Sequence, residues 1–249
     1  MRALRTLLIV VVILGGLFVA ADRAAVYFAE GQVAQKIKSS QGLTHDPSVS
    51  IKGFPFLTQV LDSSLTEVQV GLGGVSATVD GRTVEVTEVN AILKRVRIDS
   101  SFTSATAGEA DGSAQISYAA LQQSAPKGVT IGYAGAERAA KGQVKLSGAL
   151  ADVAEGAGFQ VPAALKPLVN GEKVTAYSTV TLVNGDTVRW KAEDLPPLPI
   201  PGLESQVRDL LDHDMKIDGM PSTLKLDKVA AAEDGLRFSG TGKDVSLTS

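Results

Sequence analysis

The sequence predicts an α+β protein dominated by antiparallel β-structure, placed behind an N-terminal apolar leader. Three observations predict it. Apolar and polar residues alternate over many short runs. Tight-turn dipeptides separate those runs. Helical periodicity is confined to a few segments.

The leader is residues 1–21. Arg2 and Arg5 precede an unbroken apolar run from Leu7 to Ala21, which ends at Asp22-Arg23. Positive charge ahead of an apolar run keeps the N-terminus in the cytoplasm and sends the remainder across the membrane. The run is about 15 residues long, between a signal-peptide core and a spanning helix of roughly 20. Two outcomes follow. The leader is an uncleaved signal-anchor, making this a cell-membrane protein with an extracytoplasmic domain. Otherwise it is a signal peptide cut after Ala20 or Ala21, releasing the domain into the periplasmic or envelope space. Ala24 to Phe28 continue the apolar helical pattern, which favours the anchor.

Residues 22–249 form the domain. The chain is 44% hydrophobic and 20% charged, a globular balance that can bury a core. From Asp22 to Ser40, the residues Val26, Ala29, Val33 and Ile37 form one apolar helical stripe. Ser39, Ser40 and Gly42 supply its stop. Strand periods follow around Val68-Val70-Leu72, Val84-Val86, Val96-Ile98, Val129-Ile131-Tyr133, Val144-Leu146 and Val174–Leu182. Asp80-Gly81, Asn184-Gly185 and Asp234-Gly235 mark hairpins, because these pairs tolerate positive φ. Helices are expected at Gln115–Gln123 and most clearly at Leu203–Asp212, with a short turn at Ala163–Leu168 opened by Pro162. The Leu203–Asp212 helix carries a stripe of Leu203, Val207, Leu210 and Leu211. A stiff Leu195–Pro201 connector precedes it and marks a possible lobe junction near 195–202.

Several functions are excluded. A net charge of −3 argues against nucleic acid as a partner. Without cysteine there is no disulfide, thiolate catalysis or iron–sulfur cluster. Asp212-His213-Asp214 resembles a catalytic or metal cluster, but adjacent residues do not share a helical face and no second histidine lies at ligand spacing. It reads as a solvated helix end. Gly71-Leu72-Gly73-Gly74 lacks the rest of a phosphate loop and reads as a strand bend. No Gly-x-Ser-x-Gly elbow is present. The protein is therefore expected not to be an enzyme and to need no metal or cofactor.

The most unusual segment is Gly53-Phe-Pro-Phe-Leu-Thr-Gln-Val60, where Phe54, Phe56, Leu57 and Val60 surround Pro55. Proline removes a ladder donor, so the segment belongs at an edge or turn. It is either a cavity wall that meets an acyl chain or a buried corner that locks the first helix to the sheet. This block resembles the actinobacterial LmeA-type phospholipid-binding family. The leader, the amphipathic helix, Pro196-Pro-Leu-Pro199 and Gly235-Leu-Arg-Phe-Ser-Gly-Thr-Gly242 carry the same resemblance. It covers about residues 22–247.

The resemblance implies a tubular lipid-binding-like fold, with a long curved antiparallel β-sheet wrapped around one or two amphipathic helices. It also implies noncovalent binding of a phospholipid or lipid-linked glycan precursor in the cell envelope, for transport or presentation. The alternative is a scaffolding envelope protein that binds another protein and has no lipid cavity. Under the lipid reading, candidate wall residues are Val26, Val33, Ile37, Phe54, Phe56, Leu57, Val60, Val68, Val70, Val180, Leu182, Val207, Leu210 and Leu211. Lys94, Arg95 and Arg97 form the densest basic cluster and are the candidates for a headgroup phosphate. The partners are the lipid and the cytoplasmic membrane.

Overall fold

A computed structural model describes residues 2–99 and 104–248. Helix α1 (Arg2–Gln41) leads to strand β1 (Ser48–Lys52) and helix α2 (Phe56–Leu61). Strands β2 (Ser64–Val79), β3 (Arg82–Ile98) and β4 (Ser104–Ser117) follow. Next come α3 (Tyr118–Gln122), β5 (Thr130–Tyr133), α4 (Ala136–Ala139), β6 (Gln143–Ala149) and α5 (Leu150–Gly156). A 3₁₀ turn (Ala163–Leu165) runs into α6 (Lys166–Val169), β7 (Lys173–Val183) and β8 (Thr187–Asp194). The chain closes with α7 (Leu203–Leu211), β9 (His213–Lys216), β10 (Leu224–Ala231) and β11 (Gly235–Thr248).

The expected α+β class holds. The strands are shared between two antiparallel sheets, where the family resemblance implied one long sheet. The six-stranded sheet has the order β1-β2-β3-β4-β11-β10, and the five-stranded sheet β5-β6-β7-β8-β9. Hairpin chemistry sets the registers. Asp80 and Gly81 both have positive φ, at +47° and +71°, as do Asn184 and Gly185 at +57° and +78°. Such pairs match the right-handed twist of the strands they join.

Two local expectations shift. The helix expected over Gln115–Gln123 begins only at Tyr118, because β4 runs through to Ser117. The Ser117 hydroxyl then accepts the Ala120 N–H and starts α3. His213 opens β9 rather than ending a helix, because the Asp212 backbone has already turned extended.

The chain divides into two compact units. The first takes the described residues of Met1–Gly73, Asn90–Gly112 and Gly242–Ser249; the second takes Gly74–Val89 and Ser113–Thr241. The Pro-rich 195–202 stretch lies wholly inside the second unit.

The core of the first unit is Val26, Ile51, Phe56, Leu65, Val68, Val96 and Ala107. Antiparallel pairing of β1 with β2 sets Ile51 against Val68 and Val49 against Val70. The second unit has the larger core, centred on Val144, Leu146, Val180, Trp190, Leu203, Val207 and Leu236. On its sheet the buried residues recur every second position: Val174, Ala176, Ser178 and Val180 on β7, then Val188, Trp190 and Ala192 on β8.

Helix α1 ends as its sequence suggests. Gly42 has φ +62°, and the Leu43 N–H donates to the Lys38 carbonyl at 3.0 Å. This is a Schellman closure, with Leu43 buried beneath it. Gly42→Ala places a side chain at positive φ and should cost about 1 kcal/mol in denaturant titrations of the full chain.

Candidate functional site

Three features can do chemistry or bind a ligand: the N-terminal helix with its corner, a polar cleft in the first unit, and an apolar cavity in the second.

Helix α1 has 40 residues, or about 60 Å at 1.5 Å per residue. That is about twice the thickness of a bilayer's hydrocarbon core. Its first half, through Val19, exposes Leu7, Leu8, Ile9, Val10, Val11, Val12, Ile13, Leu14, Leu17 and Phe18. By length and composition this helix can cross a membrane. Its second half packs against β1 and α2. The helix is continuous through Asp22-Arg23, where the apolar run ends.

Asp22 is fully buried. Its carboxylate accepts the Leu57 N–H at 2.9 Å and a hydrogen bond from the Arg23 guanidinium. Pro55, at the N-cap of α2, has no side-chain group with which to cap the helix. Asp22 therefore caps α2 from a different helix, supplying an acceptor and a negative charge to its first turn. The Phe-Pro-Phe block splits across this corner. Phe56 is 6% exposed and belongs to the core, whereas Phe54 is 58% exposed with the Arg23 guanidinium 5.4 Å from its ring centroid. Leu61, at the far end of α2, is 83% exposed.

The polar cleft has a volume of about 560 Å³ and is lined by Ser64, Arg95, Arg97, Gly108, Glu109, Lys243 and Asp244. Arg95 and Asp244 have φ of +51° and +50°, so both β3 and β11 are irregular here. The Arg95 side chain passes over Gly108, where an added Cβ would lie 3.2 Å from Nε. It pairs with Glu109 at 2.8 Å. Each partner holds the other in its charged form: the hydrogen bond from Arg95 lowers the Glu109 pKa, and Glu109 raises that of Arg95. Both are well exposed, so the pair adds little stability. Lys94 pairs instead with Asp111 at 3.2 Å. Of the three candidate headgroup cations, Arg95 and Arg97 share the cleft and are joined there by Lys243.

The apolar cavity has a volume of about 60 Å³. Its walls include Val79 and Val84 from the β2–β3 hairpin, Ile116 and Leu121 around α3, and Val129, Leu146, Val188, Trp190, Leu211, Met215, Leu236 and Phe238. Ser124, Ala125 and Pro126 form a partly exposed edge. Trp190 pairs across the strands with His213, and their rings stack in parallel with centroids 6.0 Å apart. The His213 Nδ1 lies 3.2 Å from the Leu211 carbonyl. The neighbouring acids turn elsewhere. Asp212 accepts the Ala192 N–H at 2.6 Å, and Asp214 takes a bidentate pair from Arg189 at 2.7 Å. The Asp-His-Asp trio thus serves three separate structural contacts. Among the described residues, no group of three or more His, Asp or Glu side chains could hold a metal ion.

Tyr118 flanks this region. Its hydroxyl donates to the Ala232 carbonyl at 2.8 Å, and burial, with smaller contributions from Tyr133 and Asp234, pushes its pKa up to about 12. A phenol's ordinary pKa is near 10. Folding therefore favours the neutral form. This stability is complete below pH 10 and is lost as pH rises from 10 to about 12. Tyr118→Phe should remove that alkaline loss, as read by circular dichroism alongside phenolate absorbance.

The candidate wall residues fall into two groups. Val26, Phe56 and Val68 are in the first unit's core, with Leu57, Val60 and Val70 packed against it. Val180, Val207 and Leu211 are in the second unit's core, with Leu182 and Leu210 against it. Val33 and Phe54 are exposed, and Ile37 is half-buried. Of all fourteen, Leu211 alone lines the apolar cavity. Val84, Val129 and Leu146 had been visible as strand residues, but periodicity does not say which of two sheet faces meets a cavity.

The LmeA-like phospholipid-binding family model matches residues 20–241. The chain belongs to this family. The LmeA-like match begins two residues before Asp22 and so takes in the latch on α2, the polar cleft's β3 and β4 residues, and the whole lining of the apolar cavity. LmeA-like proteins are described as binding phospholipid, which is not an enzyme activity. No curated protein and no solved structure matches the chain.

Proposed function

We propose that this protein binds a phospholipid or a lipid-linked glycan precursor noncovalently in the cell envelope. It is held at the cytoplasmic membrane by α1, with residues 22–249 as an extracytoplasmic lipid-binding domain, and it presents or passes on the lipid during envelope maintenance. The observation that carries this reading is the continuity of α1, which leaves an exposed apolar span and enters the lipid-binding family's matched region without a break. The apolar faces of the two units are suited to acyl chains, since each buried CH₂ contributes about 0.8 kcal/mol. Arg95, Arg97 and Lys243 are suited to a phosphate.

A domain held by one helix samples lipid in the adjacent leaflet. It therefore favours local presentation over ferrying across the envelope. The full chain, purified in mild detergent and extracted with solvent, should yield a defined phospholipid or lipid-linked glycan by mass spectrometry. Lipid-free protein that also takes up no added phospholipid would sink the reading and leave a scaffolding role in its place. Membrane fractionation with sequencing of the mature N-terminus tests the anchor, and release of a chain starting near Asp22 would replace presentation with shuttling.

A further inference from the structure

Trp190 is 4% exposed, and its Nε1 has no hydrogen-bond partner among the described residues. An indole N–H left unpaired in a protein interior is destabilising, so its persistence calls for a physical reason. The same ring forms part of the wall of the apolar cavity. Ser178 repeats the situation nearby. It is fully buried, its Oγ has no partner among the described residues, and it lies on the inner face of the same sheet. The register pairs Val180 with Trp190 and Ser178 with Ala192, which makes Ser178 and Trp190 diagonal neighbours. The inner face of this sheet therefore carries two unused donors, and of the two residues Trp190 alone lines the cavity.

Building on the lipid-binding reading above, we propose that the cavity beside Trp190 is an acyl-chain site, and that the Trp190 indole N–H donates to the ester carbonyl of the bound lipid. A free hydrocarbon would leave the N–H unpaired, whereas an acyl ester brings one acceptor attached to an apolar tail. The stacked, exposed His213 marks the solvent side of Trp190. The carbonyl sits on that side, and the tail runs inward past Val188 and Leu146 towards Phe238. As it stands, about 60 Å³ holds only about two methylene-sized groups. The tail therefore enters by parting the walls, and the edge at Ser124–Pro126 is the part that gives.

Trp190 is the protein's single tryptophan, so its emission reports this site alone. The full chain is reconstituted into liposomes of phosphatidylcholine with one dibrominated acyl chain, and separately into unbrominated liposomes. Bromine quenches indole on contact. The expected result is loss of most Trp190 emission in the brominated liposomes, and recovery of that emission in Val129→Phe, which fills the cavity. In parallel, Trp190→Phe keeps the ring and removes the donor. It should retain about five-fold less phospholipid in native mass spectra than the parent, the factor of one ordinary hydrogen bond. Three results overturn the proposal: unquenched emission while lipid is still retained, quenching that persists in Val129→Phe, or undiminished retention by Trp190→Phe. In each of these the lipid-binding reading survives. A chain that retains no lipid at all overturns both.

Discussion

Asp22→Ala should destabilise the first unit by about 2–4 kcal/mol, combining a lost charge-assisted hydrogen bond with a stranded backbone donor. The carboxylate is fully buried and holds the Leu57 N–H at 2.9 Å. With Pro55 at the N-cap, α2 has no cap of its own, so truncation leaves the first turn of α2 unpaired. Arg23 would also lose its partner, though it is about half exposed and can turn to water. Asp22→Asn keeps an acceptor of the same shape and should lose less. Denaturant unfolding of the full chain in detergent, followed by circular dichroism, reads both variants. Equal stability of Asp22→Ala and the parent would mean that α1 is not fastened to the corner through this residue.

The second large effect separates the two phenylalanines of one short block. Phe56→Ala should cost about 3–5 kcal/mol, the usual range for emptying a buried aromatic site. Its ring packs with Val26 of α1, Ile51 of β1 and Val68 of β2, so one cavity would loosen three elements. Phe54→Ala should stay within about 0.5 kcal/mol, because the ring is mostly exposed and faces the Arg23 guanidinium across 5.4 Å. The same unfolding measurements decide it. Similar losses in both variants would show that the block acts as a single buried corner.

That contrast also shows how far the sequence could be read. The Phe-Pro-Phe block supports both a buried corner and an exposed apolar lip, and each reading is right for one ring. Nothing in the linear order separates Phe54 from Phe56, because the distinction depends on α2 starting at Phe56 and on Asp22 meeting it from 35 residues away. The strands, hairpins and α7 were legible because period-two and period-3.6 patterns, together with Asp-Gly and Asn-Gly turns, are local signals. The split into two sheets was not, since β11 pairs with β4, far earlier in the chain, and carries β10 with it into the first sheet. The candidate site suffered in the same way. Val180 and Trp190 lie opposite one another in the register, yet only Trp190 reaches the cavity wall. Trp190 carried a usable signal, as the lone tryptophan of an aromatic-poor chain, but its unpaired N–H appears only when the strands are assembled.

Lipid binding requires that the folded domain itself hold a lipid, beyond whatever bilayer surrounds α1. Native mass spectrometry of the full chain released from nanodiscs tests it most directly. Activation strips the loosely attached bilayer lipids first. The expected result is a persistent species heavier than the bare chain by the mass of one phospholipid or lipid-linked glycan, at activation energies that leave the domain folded. A bare-chain mass under those conditions, unchanged after incubation with excess phospholipid, would contradict it.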